Sequence, residues 1–338
     1  MTVLVCTVST VNDPGIEMVI RALEARGARA LRLETNLFPT DLQLTVGWDE
    51  KDRLHLSTAA GEIDLSQVSS VWIRHTETGG QLPDDLDPDH REAARLESDS
   101  MIWGVLECLN VFQLDPPESL RCAPYKPRQL QLAREVGLEI PRTLITNYPP
   151  AVRDFGRSCR HGVIAKMVDG SSVSVETDQG LSPVYTKHLS AEDFDNLDGL
   201  SLCPMIFQEA VPKALELRIT VVGQQVFVAA VASSASAIGA DDWRKDKGLV
   251  QEFRPYAHCP SAILDRLLVM LNRLGLNFAT IDLIVTPDGR FVFLEFNTIS
   301  YFDFVERATG LPISAAIADL LLGLAASRIP PQRKELTN

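Results

Sequence analysis

The sequence predicts a mixed α/β protein that is built from about two or three domains. An apolar run at Val3–Val8 is followed by an amphipathic segment and by a second strand-like run at Arg29–Glu34. This strand–helix–strand order is typical of an open α/β sheet. Further along the chain, β-branched segments meet at turn residues, as at 286–289. Of the 338 residues 45% are hydrophobic, so the chain can bury a sizeable core.

The net charge and the cysteine and histidine patterns narrow the function classes. A formal net charge of −13 argues against sequence-independent binding to nucleic acid or to an anionic membrane. The six cysteines form no CxxC pair, and no Cys/His cluster has zinc spacing. The N-terminus lacks a signal-peptide pattern, and no apolar run reaches the ~18 residues of a membrane span. We therefore expect a reduced, cytoplasmic protein with no nucleic-acid or membrane partner.

Residues 1–118 are expected to form an N-terminal α/β domain. Asn12-Asp13-Pro14 has the chemistry of a helix start, with a capping side chain before a proline. A long amphipathic helix is predicted from Pro88 to Phe112. Because no GxGxxG follows the first strand, a dinucleotide site there is unsupported. Arg74 ends a strand, and it is either a solvated strand end or an anion contact at the mouth of the sheet.

Residues 119–204 are expected to form a second unit with two notable lysines. Lys126 precedes a helix, and Lys166 lies in the middle of an apolar strand, where an ammonium is costly to bury without an anion. The run 169–172 that follows could bring backbone N–H groups to phosphate oxygens, although a simple turn is the commoner explanation. A short acidic helix at 190–200 has a solvated face as its default interpretation.

Residues 205–328 are expected to form a third unit, and residues 329–338 a disordered tail. Glu209 lies inside a strand-like run, and Glu216 and Arg218 alternate on one face of the next strand. Charged residues in apolar strands are costly to bury unless they meet a partner. This unit is therefore expected to contain part of a polar site.

The stretch from Phe278 to Asn297 contains the main candidate site. It predicts two strands joined by a turn, and if residue 285 pairs with residue 290, Asp282 lies diagonal to Glu295, about 7–8 Å away at Cα. On that pairing Asp282 shares a face with Glu295 and Asn297. Two carboxylates and an amide are hard oxygen ligands that suit Mg²⁺ bound together with substrate phosphates. An edge hairpin with polar residues facing water is the alternative interpretation.

The charged residues named above occur along the chain in an order that resembles a known enzyme family. Two lysines, a glutamate, an arginine, an aspartate and an E-x-N run follow one another between Lys126 and Asn297, and this order resembles the ATP-grasp enzymes. The match narrows to the microviridin-type graspetide synthetases over Thr2 to Leu322. The runs that look very like this family are VSSVWIRH, KxxQLQLAREVGLEIPRTLITN, CPMIFQEAVPKALELRITVVG, DWRK and ATIDLIVTPDGRFVFLEFN.

The resemblance implies an ATP-grasp fold with an N-terminal open α/β pre-ATP-grasp domain. It also implies ATP-dependent macrocyclisation of a ribosomally made precursor peptide, in which Asp or Glu side chains are joined to Ser/Thr hydroxyls or Lys amines. An ω-ester is favoured over an ω-amide because the chain looks most like the lactone-forming branch. We also expect a homodimer. Two alternatives remain: a ligase that joins a free amino acid to a protein or small acid, and a non-catalytic nucleotide- or leader-binding partner.

The resemblance also implies a role for each matching residue. Residues expected to bind ATP are Lys126 and Lys166 at the phosphates, Glu209 and Val211 at adenine, and Glu216 near the ribose or phosphates. Residues expected to hold Mg²⁺ are Asp282, Glu295 and Asn297. Residues expected to orient the acceptor carboxylate and the transferring phosphate are Arg218, Arg244 and, as a third cation, Lys213. Residues expected to contact the precursor peptide are Glu192, Asp193 and Asn196 of a leader-reading acidic helix, and Arg74.

Two departures from the family pattern lie near the expected substrate mouth. Family members commonly read E-x-N-P-x-G after the last metal strand, whereas this chain continues Asn297 with Thr298-Ile299-Ser300. The usual WYRR run is Trp72-Ile73-Arg74-His75 here. We expect these departures to affect the acceptor peptide and the ring pattern rather than ATP and metal binding.

Overall fold

A computed structural model describes residues 1–48, 53–58, 61–169, 174–177, 180–236, 239 and 242–329, with the backbone alone for 174–177, 180–183 and 235. The predicted mixed α/β class is confirmed by the helices and sheets below. Two sequence predictions lie outside the described residues: nearly all of the disordered tail, from residue 330 onward, and most of the phosphate loop after Asp169.

The first part of the chain forms a parallel sheet and a small antiparallel sheet. Its elements are β1 (Thr2–Thr7), α1 (Pro14–Glu24), β2 (Arg29–Glu34), β3 (Gln43–Gly47), β4 (Arg53–Thr58), β5 (Gly61–Asp64), β6 (Ser70–Ile73), α2 (Pro88–Cys108), β7 (Phe112–Leu114) and α3 (Pro117–Cys122). The parallel sheet has the order β2-β1-β6-β7, and β3, β4 and β5 form the antiparallel one. The predicted α1 cap is present, since Asp13 Oδ1 accepts from the backbone N–H of Gly15 at 3.0 Å.

The long helix predicted to reach Phe112 is shorter than expected. Helix α2 ends at Cys108, and Leu109 has extended backbone angles of φ −73° and ψ 106°. Phe112 instead begins β7, which pairs with β6. The sheet therefore takes residues that apolar periodicity alone had assigned to the helix.

The middle of the chain forms an antiparallel sheet with the order β12-β9-β13-β8. Its elements are α4 (Lys126–Glu135), β8 (Thr143–Thr146), α5 (Pro149–Ser158), β9 (Val163–Met167), β10 (Ser174–Thr177), β11 (Gly180–Pro183), β12 (Lys187–His188), α6 (Ala191–Asp195) and β13 (Met205–Glu209). One face of this sheet packs Val163, Ala165 and Phe207 against Val152 of α5. Because side chains alternate along a strand, Lys166 lies on the other face.

The last part forms a five-stranded antiparallel sheet with the order β16-β15-β14-β17-β18. Its elements are β14 (Leu215–Val222), β15 (Gln225–Val231), β16 (Arg254–Pro255), α7 (Ser261–Arg273), β17 (Phe278–Val285), β18 (Phe291–Asn297), α8 (Asp303–Thr309) and α9 (Ile313–Leu321). Leu217 and Ile219 of β14 are buried with Leu267 of α7. The alternate residues of β14, which include Glu216 and Arg218, consequently lie on the opposite face.

The C-terminal helix ties the last part of the chain to the first. Val3 and Val5 of β1 share a buried cluster with Val19 of α1 and with Ile317 of α9. The other face of β1 belongs to a second cluster with α2. No helix among the described residues is long and apolar enough to cross a membrane.

A buried carboxylate also connects the first part of the chain to the last part. Asp115, which is 2% exposed, accepts from the backbone N–H groups of Asn277 at 2.7 Å and Phe278 at 2.9 Å. Burial raises the pKa of Asp115 to about 7, although these two hydrogen bonds and nearby Arg328 oppose the rise. The start of β17 is thus fixed by a carboxyl group whose charge state depends on pH.

Candidate active site

The two strands of the predicted hairpin pair in a different register from the one expected. Val285 pairs with Phe291 rather than with residue 290, and the register shifts again so that Asp282 pairs directly with Glu295. The first difference arises because the turn is one residue longer and closes from the Thr286 N–H to the Arg290 carbonyl at 2.9 Å. The diagonal placement of Asp282 and Glu295 was therefore wrong, and the two carboxylates are closer than predicted.

A bulge in β18 explains why the polar residues still share one face. Strict alternation would place Phe293 on the same face as Glu295 and Asn297. The register shift between Asp282 and Leu283 adds one residue to β18, so Phe293 and Phe296 both belong to the core. Asn297 Nδ2 donates to Glu295 Oε1 at 3.3 Å, which shows that these two side chains meet.

Helix α4 fixes the outer edge of β18 through two side chains. Lys126 lies 3.0 Å from Glu295 Oε2 and donates to Asn297 Oδ1 at 3.3 Å. Gln129 accepts from the Phe296 N–H at 3.1 Å and donates to the Phe296 carbonyl at 3.0 Å. A glutamine side chain thus satisfies the backbone of an edge strand between the two predicted metal ligands. Sequence analysis missed Gln129, although a glutamine next to apolar helix positions was a usable signal.

Arg218 supports Asp282 from the neighbouring strand. The two residues pair across β14 and β17, and Arg218 Nη1 donates to both carboxylate oxygens of Asp282 at 2.8 Å. Arg218 Nη2 donates to the Ser300 hydroxyl and, at 3.3 Å, to the Tyr301 carbonyl. Arg218 is only 7% exposed. Most of its donors therefore end on protein groups rather than on solvent.

The pKa values of the two carboxylates shift in opposite directions. Burial alone would raise the pKa of Glu295, but Lys126 and Lys166 beside it hold that pKa well below its usual range. Burial raises the pKa of Asp282, and the charge of Glu295 adds to the rise while Arg218 opposes it. Burial also lowers the pKa of Lys166, with Glu295 opposing. Lys166 of the central sheet is therefore near enough to the carboxylate pair of the last sheet to interact with it electrostatically.

The donor set fits a small hard cation. Within the described residues, no group of three or more His, Cys, Asp or Glu side chains is placed to hold a metal ion. The available set is instead Asp282, Glu295 and the amide of Asn297, and Mg²⁺ commonly uses one or two carboxylates together with substrate phosphates. The ion pair of Lys126 with Glu295 would have to loosen as a phosphate arrives. The residues present therefore fit Mg²⁺ bound with a nucleotide.

The side chain of Glu209, which is predicted to read adenine, lies away from Lys166. It pairs with Val163, and both side chains lie on the face of β13 and β9 that is opposite to Lys166. Its carboxylate accepts from the Arg160 N–H at 2.8 Å and from Arg142 at 3.2 Å. The contact of this side chain with adenine stays a prediction. A backbone contact from Glu209 or Val211 to adenine stays a prediction.

Arg244 is held by a carboxylate that sequence analysis did not single out. Asp242 accepts from Arg244 Nε at 2.8 Å and from Nη2 at 2.6 Å. Tyr185 lies under the same guanidinium, 5.9 Å from ring centre to Cζ. The pKa of Arg244 is raised by the Asp242 hydrogen bond, and Glu295 and Asp282 are close enough to contribute. The Arg244 side chain is 52% exposed, so it remains accessible to a ligand.

Lys213 and Glu216 form an ion pair at the start of β14. The Lys213 ammonium donates to Glu216 Oε1 at 2.9 Å, and the hydroxyl of Ser233 donates to the same oxygen. Burial raises the pKa of Glu216, while Lys213 and Ser233 oppose the rise. The pair lies on the same face of β14 as Arg218, so its predicted contact with nucleotide or acceptor remains compatible with this placement.

The predicted peptide-binding residues lie in two separate places. Asp193 serves helix α6 as a capping box with Ser190, and it also pairs with Lys187 at 2.6 Å. Arg74 is 1% exposed, and its Nε donates to Asp13 at 2.6 Å. A direct contact of Arg74 with peptide would require this burial to change. The leader-reading role of Glu192, Asp193 and Asn196 stays a prediction.

Several comparisons with known proteins agree with this architecture. The family model described as the MvdD pre-ATP grasp domain matches residues 2–121. The macrocyclase MdnC from Microcystis aeruginosa MRC, solved with precursor peptide MdnA, is 39% identical; the match covers 96% of this chain and 100% of that chain, with a TM-score of 0.85. A RiPP-associated ATP-grasp ligase from Chryseobacterium gregarium, solved with ADP and a leader and core peptide, is 30% identical over 98% of this chain and 99% of that chain, with a TM-score of 0.90.

A more distant curated relative shares the enzyme class. It is the probable alpha-L-glutamate ligase of Aliivibrio salmonicida (strain LFI1238), which is 26% identical over 236 residues, 66% of this chain and 71% of the relative. The pre-ATP-grasp sheet and the carboxylate cleft define an ATP-grasp carboxylate ligase. Within that class, the chain belongs to the microviridin-type family of peptide macrocyclases, and the resemblance drawn from its sequence is confirmed.

Proposed function

We propose that this protein uses ATP to close ω-ester rings in a ribosomally made precursor peptide. The observation that carries the proposal is the group of cations around the Asp282–Glu295 pair. Lys126 and Lys166 from the central part of the chain face the Asp282–Glu295 pair of the last sheet, and Arg244 lies close enough to act on the same pair. Converging cations beside hard oxygen ligands suit a triphosphate and the carboxylate that it activates.

A side-chain carboxylate is a poor electrophile, and phosphorylation by ATP activates it. A side-chain carboxylate oxygen of Asp or Glu attacks the γ-phosphorus of ATP, and ADP leaves. A Ser or Thr hydroxyl of the same peptide then attacks the resulting acyl phosphate, and phosphate leaves with the former carboxylate oxygen. The peptide loses one water per ring. Most of the catalysis is positioning and charge neutralisation at the phosphoryl group.

We assign each group of residues a role from its position. Lys126 and Lys166 would bind the phosphates. Asp282, Glu295 and Asn297 would hold Mg²⁺, which supplies further neutralisation of the phosphoryl oxygens. Arg244 is the arginine that we assign to the acceptor carboxylate, because it is half exposed and its guanidinium is oriented by Asp242. A planar guanidinium binds a carboxylate through two parallel hydrogen bonds.

Arg218 has a more indirect role in orienting the acceptor carboxylate than the family resemblance implied. Its four hydrogen bonds end on Asp282, Ser300 and Tyr301. Its remaining donor, Nε, is buried and has no partner among the described residues. Arg218 therefore acts on the acceptor mainly through Asp282 and through its charge, with Lys213 as a further cation near Glu216.

The choice of ester over amide rests on family branch alone, and a chemical test separates them. Hydroxylamine at mild alkaline pH opens an ω-ester ring but leaves an ω-amide intact. Recognition of a basic leader residue by Glu192, Asp193 and Asn196, and assembly as a homodimer, belong to the same proposal. The net charge of −13 is compatible with a basic leader.

A single assay tests the proposal against its rivals. The protein is incubated with ATP, Mg²⁺ and a leader-bearing peptide that contains Thr and Glu, and both ADP and peptide mass are measured. We expect ADP release coupled to the loss of water, and neither with Asp282→Asn or Glu295→Gln, although both variants should fold. ADP release with a free amino acid and no peptide would favour the amino-acid ligase. Nucleotide binding without ADP release would favour the non-catalytic partner.

A further inference from the structure

The two departures from the family pattern meet in one buried network. His75 Nε2 lies 3.1 Å from Asp13 Oδ2, and Arg74 Nε donates to the same oxygen at 2.6 Å. Arg74 Nη2 donates to the Ser300 carbonyl at 2.9 Å. The Ser300 hydroxyl in turn accepts from Arg218, the residue that grips Asp282. A continuous chain of charged hydrogen bonds thus runs from the start of α1 to a predicted metal ligand.

The network is shielded from solvent, and this shielding strengthens its hydrogen bonds. The side chain of Asp13 is 0% exposed, that of Arg74 1%, and Ser300 as a residue 8%. The faces of Trp72, Tyr301 and Phe302 surround the Arg74 guanidinium at 5.7–5.9 Å. A hydrogen bond between charged partners is stronger and more directional in such surroundings than in water.

Ser300 accepts hydrogen bonds from both arginines. Its carbonyl receives Arg74 from the N-terminal sheet, and its hydroxyl receives Arg218 from β14. The family run commonly has glycine at this position, so the hydroxyl is a feature of this chain. The Arg218 guanidinium consequently has one end fixed on Ser300 and the other on both oxygens of Asp282.

We propose that Ser300 is a positioning residue that orients Asp282 for Mg²⁺ through Arg218, and that the Asp13–Arg74 pair holds Ser300 in place. This inference deepens the proposed function, on which its metal assignment rests. Partners that orient a metal ligand typically change metal affinity by about 10–100-fold when they are removed. The N-terminal sheet is, on this view, a structural part of the metal site.

The test measures Mg²⁺ affinity directly, by calorimetry in the presence of ADP and without any peptide. Ser300→Ala should weaken Mg²⁺ binding about tenfold, and Ser300→Thr should restore most of the loss because it returns the hydroxyl. Ser314→Ala is the matched control. Ser314 is 7% exposed and donates to Glu306 at 2.7 Å, outside the hydrogen bonds that join Asp13, Arg74, Ser300, Arg218 and Asp282, so its loss should leave Mg²⁺ affinity unchanged.

A second variant tests the far end of the network. Asp13→Asn removes the charge that holds Arg74, and it should also weaken Mg²⁺ binding, with an effect that does not add to that of Ser300→Ala in the double variant. Wild-type Mg²⁺ affinity in both folded single variants would overturn the inference. Equal losses in the Ser300→Ala and Ser314→Ala variants would overturn it too, since that result indicates general destabilisation. If these effects appear but no peptide is cyclised, the proposed function fails and the positioning role stands.

Discussion

Gln129 offers the sharpest test of how the fold builds the site. The perturbation is Gln129→Leu, which keeps the side-chain size but removes both polar ends. Gln129 is 1% exposed, and it makes three hydrogen bonds: to the Ala123 carbonyl at 2.8 Å, to the Phe296 carbonyl at 3.0 Å and from the Phe296 N–H at 3.1 Å. The substitution leaves these three backbone groups without their partner.

The magnitude follows from the burial of those groups. Ala123 and Phe296 are each 1% exposed, so water cannot replace the lost amide. An unsatisfied buried backbone group costs about 1–3 kcal/mol, and three groups at the lower end give about 3 kcal/mol. Because Glu295 and Asn297 flank Phe296, we also expect weaker Mg²⁺ binding.

The assay combines stability and local exchange. Urea unfolding should give a lower midpoint for Gln129→Leu, and amide hydrogen exchange at Phe296 should become faster. Gln131→Leu is the matched control, since Gln131 is exposed on the same helix and bonds only Glu135 at 2.9 Å among the described residues. Its effect should stay within about 0.5 kcal/mol. Equal behaviour of the two variants would refute the reasoning.

Three further predictions follow from other parts of the chain. Asp115 has a folded pKa of about 7, above its ordinary value, so its protonated form adds stability that is complete below about pH 4 and is lost as pH rises through 7. The unfolding free energy should therefore fall by up to about 4 kcal/mol across that range relative to Asp115→Asn, and parallel pH curves would contradict this. Arg244→Ala should lose peptide turnover while ATP affinity by calorimetry stays near wild type; a large drop in ATP affinity would move Arg244 to the nucleotide site. Glu209→Gln should leave ATP affinity nearly unchanged because its side chain lies away from Lys166, so a marked loss would restore the adenine role.

The fold class and the centre of the site could be predicted because both leave local signals. Lys166, Asp282 and Glu295 interrupt apolar strands, and a charge at such a position requires a partner. The predicted pairing of the two strands that bear Asp282 and Glu295 already implied that these carboxylates share one face. The chain order of these residues then identified the family.

The register could not be predicted, because it depends on a turn length and a bulge that strict alternation does not encode. The extra residue at Leu294 separates Phe293 from the face of Glu295. The face of Glu209 was missed for a related reason. Its charge indicated a partner, but the sequence does not show that the side chain meets Arg142 on the face opposite to Lys166.

The supporting residues left weaker signals, because their partners are distant in the chain. Asp13 was visible as a helix cap, yet its second oxygen serves Arg74, which is 61 positions away. Ser300 was visible only as a departure from a family pattern. Its contact with Arg218 spans 82 positions, and no local rule connects the two.

The central claim is that the Asp282–Glu295 cleft activates a peptide carboxylate as an acyl phosphate, and an isotope measurement tests it most directly. A leader-bearing peptide whose Asp and Glu side-chain carboxylates carry ¹⁸O is incubated with the protein, ATP and Mg²⁺, and the released phosphate is analysed by mass spectrometry. The mechanism predicts one labelled oxygen in the phosphate for each ring that forms. Rings that form with unlabelled phosphate would contradict it.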